Sequence, residues 1–251
     1  MLSRSQVDRI GEKLRRGEVD AETLTKLGEY QLEFDPAYKF VERVLTKRLF
    51  LNITGRPAKS TLSIIEKLRR IRSRLSQIQD ISGCRTIVHN LDAQDEVILR
   101  AREWFPAVEI DDKREEPTHG YRAVHLLVMR DGKYVEVQVR TRLQHFWATI
   151  SEKLSDTYGQ EIKYGAGDAD VLSSLSDLSE KAREFDLMVN RLNALQYEER
   201  NLKRAVGRSS VRSDLRKRIS SQQQRIRHIM YDTRRILARF DEMEKVRVLS
   251  D

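Results

Sequence analysis

Asp80 and Glu136 are the two residues of this chain with the most chemistry to offer. Asp80 lies in Gln79-Asp80-Ile81-Ser82-Gly83-Cys84-Arg85, just ahead of a short β-rich run, and Glu136 lies inside a second run where Val135, Val137 and Val139 alternate with Glu136, Gln138 and Arg140. Two carboxylates from separate elements make a natural Mg²⁺ site, because that ion is hard and takes oxygen ligands. Upstream, Arg56, Lys59 and Ser63 gather where Leu62, Ile65 and Leu68 begin a helical stripe, and Lys67 follows one turn beyond Ser63 on the same face. The free amides and the dipole of a helix start favour anions, so this cluster suits a phosphate. Each feature also has a plainer reading: an Asp before a Gly is commonly turn chemistry, and cations at a helix start are commonly a solvated cap. The segment Thr54-Gly55-Arg56-Pro57-Ala58-Lys59-Ser60-Thr61 is not a P-loop, since Ala58 stands where that loop needs a glycine before Lys-Ser.

The element that positions Glu136 is a hairpin. Tyr121 to Arg130 and Lys133 to Arg140 flank Asp131-Gly132, a pair suited to the positive φ angles of a two-residue turn. Centring the turn there sets His125 opposite Gln138, Leu127 opposite Glu136 and Ala123 opposite Arg140. One face then carries His125, Glu136, Gln138 and Arg140, with Tyr121 at its mouth; a solvated edge would alternate in the same way.

Around this hairpin the chain reads as α/β. Residues 3 to 51 carry helical spacing (Val7, Ile10, Leu14; Leu24, Leu27, Tyr30), with Asp20 as a cap and a second run after Asp35-Pro36. Strands are expected at Arg85 to His89 and Val108 to Asp112, and helices at Ala93 to Phe105 and Gln144 to Leu154. After Gly165-Ala166-Gly167, Val171, Leu175, Leu178, Ala182, Phe185, Val189, Leu192 and Leu195 recur every three or four residues. A turn near Gly207-Arg208-Ser209-Ser210 leads to a second such stripe, so the C-terminal part reads as a helical hairpin. Three segments are expected: an N-terminal helical one over 1–51, a core over 52–164, and a basic helical hairpin over 165–251.

The 251 residues carry a net charge of +8, and the surplus is local: Arg200 to Arg247 holds fifteen basic residues against five acidic ones. Such a segment suits a polyanion, although Arg-rich helix faces are often merely solvated. The single Cys84 excludes an internal disulfide and a thiolate zinc site. No apolar run approaches the length of a membrane span and the N-terminus lacks an apolar signal core, so a soluble cytoplasmic protein is expected.

From Arg56 to Trp147 the chain resembles the synthetase domain of the RelA/SpoT family in its small, single-domain form. The resemblance rests on four ordered blocks: Lys59-Ser60 with Ser63-Ile64 and Lys67; Asp80-Ile81-Ser82-Gly83-Cys84-Arg85; Gly120-Tyr121-Arg122-Ala123-Val124-His125; and Glu136-Val137-Gln138-Val139-Arg140-Thr141. It implies a mixed β-sheet flanked by helices, of the nucleotidyltransferase-like synthetase fold. It also implies a pyrophosphokinase that moves the β,γ-pyrophosphate of ATP to a ribose 3′-hydroxyl. By the same resemblance Asp80 and Glu136 are the catalytic pair and hold Mg²⁺, with Glu136 also taking the proton of the attacking hydroxyl. Arg56, Lys59, Ser63, Lys67 and Arg85 bind ATP, Tyr121 stacks on the acceptor base, and His125, Gln138, Arg140 and His119 complete the acceptor site. Two departures stand out. Pro57 occupies the place of a usual Arg, and the loop Glu115-Glu116-Pro117-Thr118-His119-Gly120 carries Pro117 and His119 where the family has Lys and Asn, so a basic group that would meet acceptor phosphates is missing or supplied from elsewhere, such as Lys113 or Arg114.

The resemblance implies a small alarmone synthetase acting on ATP and a guanine nucleotide to give (p)ppGpp, as a homo-oligomer. One alternative is a toxic member of the family that modifies the 3′ end of tRNA and is held by an antitoxin protein; the altered loop and the basic C-terminal segment fit it. Another is a non-catalytic protein that binds nucleic acid or oligomerises, against which the retained Asp80, Glu136 and basic cluster argue.

Overall fold

The computed structural model describes residues 1–204 and 209–248. In chain order the helices are α1 (Arg4–Arg16), α2 (Ala21–Leu32), α3 (Asp35–Lys47), α4 (Thr61–Arg70), α5 (Leu91–Trp104), α6 (Arg142–Tyr158), α7 (Ala169–Arg204) and α8 (Ser209–Val248). The strands are β1 (Ile53–Arg56), β2 (Ser82–Val88), β3 (Glu109–Asp112), β4 (Val124–Arg130) and β5 (Lys133–Thr141), in the spatial order β1-β2-β5-β4-β3. The expected mixed sheet flanked by helices is therefore present. The chain divides into two compact units.

The first unit comprises Met1–Ile87, Glu96–Asp112 and Val124–Val139. Its N-terminal helices start on side-chain caps: Ser3 forms a capping box with Gln6, and Asp20 accepts from the Thr23 amide at 2.7 Å. Pro36 lies in the first turn of α3, where its missing N–H leaves no intrahelical bond unmade. Val7, Ile10 and Leu14 of α1 pack with Leu27 and Tyr30 of α2 and with Ile64 and Leu68 of α4 in one apolar core. The strand β1 forms ahead of α4, where no strand is expected from the sequence; it pairs antiparallel with β2, Thr54 against Arg85 and Gly55 against Cys84.

The hairpin register is the expected one. Asp131 and Gly132 have φ of 51° and 74°, and β4 pairs with β5 so that His125 faces Gln138 and Leu127 faces Glu136. On β2, a Cβ added to Gly83 would lie 2.5 Å from the Glu136 carbonyl oxygen, so only glycine lets the backbones approach this closely. Gly83→Ala should therefore cost about 1–3 kcal/mol of stability by overpacking this seam. Urea unfolding monitored by circular dichroism checks this, and an unchanged midpoint would show that the strands yield without cost.

The second unit comprises Val88–Asp95, Lys113–Ala123 and Arg140–Asp251. Thr141 caps α6 in a capping box with Gln144, and α6 ends at Gly159 before a 3-10 turn over Gln160–Tyr164. Gly165 and Gly167 then take φ of 75° and 102°, which makes the expected break ahead of α7. Trp147 and Ala148 of α6, Val171, Leu175 and Leu178 of α7, and Ile236 and Phe240 of α8 share a core. The turn expected near Gly207-Arg208 lies outside the described residues. Among those described, no helix is long and apolar enough to cross a membrane.

Candidate active site

In the first unit Asp80 is the hub. It sits two residues ahead of β2, where its Oδ2 lies 2.7 Å from Lys59 Nζ and its Oδ1 lies 2.8 Å from Lys67 Nζ. The Arg56 guanidinium donates to the Asp80 carbonyl at 3.1 Å. The Lys59 amide bonds the Ile81 carbonyl at 2.7 Å, which ties the basic loop to the start of β2. Burial alone would raise the Asp80 pKa, but the two ammonium groups outweigh it and bring the carboxyl down to about 2. Lys59 is held below its ordinary value by burial, although Asp80 opposes this. Ser60 caps α4 by accepting from the Ser63 amide at 3.3 Å, and the Ser60 hydroxyl donates to the Ser63 hydroxyl at 2.9 Å. Its direct partners are the two lysines that the sequence reading assigns to the phosphate.

Glu136 occupies one face of the sheet with the residues paired across β4 and β3. Its Oε1 accepts from Gln138 Nε2 at 2.6 Å, and its Oε2 lies 3.6 Å from His125 Nδ1. Asp111 pairs with His125 in the β3–β4 register, which adds to this face a carboxylate that sequence reasoning passed over. The alternation of Glu109 and Asp111 along the strand was the signal available. Arg85 falls on the Gly83 side of β2 by strand alternation, and its Nε is buried with no hydrogen-bond partner among the described residues. A buried donor without an acceptor is costly, and a phosphate oxygen would satisfy it.

The donor set suits Mg²⁺. The ion typically takes one or two carboxylates and completes its shell with water and substrate phosphate, and Asp80 and Glu136 supply two carboxylates on the segments joined where Gly83 meets the Glu136 backbone. The strong ionisation of Asp80 keeps it fit for that role.

The second unit holds the remaining residues that sequence assigned to the acceptor. Arg140 donates to the Tyr121 hydroxyl from Nε at 3.3 Å and from Nη2 at 3.0 Å, with its guanidinium carbon 5.0 Å from the ring centroid. Trp147 lies against the same ring at 6.3 Å between centroids. His119 is exposed, takes a left-handed φ of 51°, and packs where a side chain on Gly165 would have to sit. Arg114, one of the two cations expected to meet acceptor phosphates, is ion-paired with Asp95 at 2.6 Å. Arg122 lay inside a quoted block without a role; its guanidinium is buried against α7, bonded to Ser179 and Glu180 at 3.1 Å each. Asp186 accepts from the Thr141 hydroxyl at 2.7 Å, and burial raises its pKa to about 6. No sequence signal marked Ser179, Glu180 or Asp186, since they lie between the apolar positions that announced the helix.

Residues 55–161 match the family described as the region found in RelA / SpoT proteins. An uncharacterized protein of Mycobacterium tuberculosis is 40% identical over 118 residues, covering 45% of this chain and 43% of that protein. The GTP pyrophosphokinase YjbM of Bacillus subtilis is 36% identical over 124 residues, covering 44% of this chain and 58% of the relative. The chain thus spans less than half the length of the mycobacterial relative it matches. Among solved structures, the small alarmone synthetase 1 from Bacillus subtilis aligns with a TM-score of 0.54 at 26% identity, over 71% of this chain and 100% of that one. The same enzyme bound to its product pppGpp gives 0.53 at 25%, over 70% and 98%. The matched residues 55–161 include Asp80, Lys59, Lys67 and the Glu136 strand, so this stretch of the chain is similar to the region found in RelA / SpoT proteins.

Proposed function

We propose that the chain is an ATP-dependent pyrophosphokinase that transfers the β,γ-pyrophosphate of ATP to the 3′-hydroxyl of a guanine nucleotide, giving (p)ppGpp-type alarmones. The observation that carries this is Asp80, ion-paired to both Lys59 and Lys67 just ahead of β2, together with a sheet face on which Glu136 and Gln138 of β5 lie with His125 of β4. In the reaction the acceptor O3′ bonds to the β-phosphorus of ATP, the bond from that phosphorus to the α,β-bridging oxygen breaks, AMP leaves, and Glu136 takes the hydroxyl proton. Such transfers depend on charge neutralisation and positioning more than on covalent catalysis, which is what this set of residues supplies. Lys59, Lys67, Arg56 and Arg85 bind the triphosphate, and Ser63 stands at the same helix start. Mg²⁺, held by Asp80 and Glu136, would neutralise charge on the transferred group. Tyr121 and Arg140 receive the acceptor, with His125, Gln138 and His119 as further contacts.

A second reading, transfer to the 3′ end of tRNA, is favoured by the surface of α8. Lys217, Arg218, Arg225, Arg227, Arg234 and Arg235 are exposed there and have no ion-pair partner among the described residues. A shallow cavity of about 500 Å³ on the same helix is lined by Arg212, Ser213, Arg216, Lys217 and Ser220. Phosphodiester backbones are bound through such clusters. Incubating the protein with γ-labelled ATP and, in parallel, GDP, GTP, AMP and bulk tRNA decides between the readings. Label on GDP or GTP supports the first, label confined to tRNA supports the second, and label on none overturns both.

A further inference from the structure

The loop that presents Tyr121 is fastened at three points to one stretch of α7. Its tip is a tight turn: the Tyr121 amide donates to the Thr118 carbonyl at 3.0 Å, with His119 and Gly120 at φ of 51° and 85°. Both central residues are left-handed, and His119 has a Cβ, so the turn is strained and needs outside support. Ser179 supplies it through one atom. The Ser179 hydroxyl donates to the Gly120 carbonyl at 2.6 Å and accepts from Arg122 Nε at 3.1 Å, bridging the residues on either side of Tyr121. Ser179 is 3% exposed and Arg122 8%, so water does not replace these bonds cheaply. Glu180 takes Arg122 Nη2 at 3.1 Å, and Arg183, held by Glu180 at 2.8 Å, reaches Glu115 at 3.6 Å. Trp147 closes the remaining side, since a Cβ on Gly120 would come within 2.8 Å of its ring.

We infer that Ser179 is a positioning residue for the acceptor: its hydroxyl fixes the turn that presents Tyr121, while Glu180 and Arg183 secure the same loop at Arg122 and Glu115. The inference rests on Tyr121 being the acceptor's contact, as proposed above. It makes acceptor binding depend on α7, a helix whose sequence announces only an apolar stripe. The turn carries none of the residues assigned to ATP, so loosening it should affect one substrate and spare the other.

The test uses the full chain with Ser179→Ala, and with Glu180→Gln as a second variant at a side chain that is 44% exposed, where the change leaves the packing of α7 intact. In Ser179→Ala the KM for GDP should rise about tenfold, as the bonds to the Gly120 carbonyl and from the charged Arg122 are both lost. The KM for ATP should stay within about twofold, since the altered contact touches no ATP residue. Hydrogen exchange at the Tyr121 amide should quicken about tenfold in parallel. Glu180→Gln should shift the same quantities in the same direction by a smaller factor. Unchanged exchange at Tyr121, or equal rises in both KM values, overturns the inference. Wild-type protein that transfers pyrophosphate to neither GDP nor GTP overturns the guanine-nucleotide function instead, and the exchange measurement then decides the role of Ser179 alone.

Discussion

Glu136→Gln should lower pyrophosphate transfer by about 10³-fold or more while leaving the fold intact, because the substitution removes a general base and a charged oxygen donor together. Glutamine has the shape of glutamate, and its amide oxygen can still accept the 2.6 Å bond from Gln138. Val135 and Val137, the flanking residues that pack into the core, are untouched, so the thermal midpoint should not move. What disappears is the ability to take the acceptor's proton and to offer a full negative charge. ATP binding should persist, since Lys59 and Lys67 answer to Asp80 rather than to Glu136. Single-turnover transfer from labelled ATP, run beside nucleotide-binding titrations, separates these effects. Turnover near the wild-type rate would sink Glu136 as the base, and loss of ATP binding as well would move its role to the donor site.

How far the sequence led depended on the kind of interaction. The β4–β5 register followed from Asp131-Gly132 and a period-two pattern, because a two-residue turn fixes every pair beyond it. His125 opposite Gln138 and Glu136 opposite Leu127 were therefore legible as geometry. The α7 and α8 stripes were legible in part for a similar reason: Val171, Leu175, Leu178, Ile229, Ile236 and Phe240 are buried, while Phe185, Val189 and Leu192 are half-buried and Val211 is exposed. Local caps such as Asp20 also announced themselves. Contacts between distant polar residues did not. Nothing in the spacing of Lys59, Lys67 and Asp80 says that both ammonium groups fall on one carboxylate, since that depends on how α4 packs beside the start of β2. Ser179 meeting Gly120 and Arg122 is separated by 59 and 57 positions and follows no period. The strand β1 was hidden for a third reason: Ile53-Thr54-Gly55-Arg56 is short, is interrupted by Gly55, and forms a strand against the edge that β2 offers.

Asp80→Asn is the substitution expected to harm both stability and catalysis. It keeps the size of the side chain and removes the charge that compensates two lysines, one of them, Lys59, only 11% exposed at its side chain. Breaking a buried pair by removing one partner costs about 3–5 kcal/mol, because the remaining charge stays desolvated. Transfer should fall by at least about 10²-fold, since a proposed oxygen donor to Mg²⁺ is lost at the site of phosphate binding. The pH dependence identifies the charge as the cause. The folded Asp80 pKa of about 2 lies below its ordinary 3.8, so its contribution is present above pH 3.8 and is lost as pH falls toward 2. That shift corresponds to roughly 2 kcal/mol. Urea unfolding of the wild type should therefore weaken through that window by an amount that Asp80→Asn does not show. Adding Lys59→Met to Asp80→Asn tests the pairing: with one of the two unpaired ammonium groups gone and Lys67 remaining, stability should recover in part, while transfer stays lost, since Lys59 is itself assigned to the triphosphate. Recovery of activity along with stability would reduce Asp80 to a structural ion pair and leave Glu136 as the sole carboxylate of the reaction.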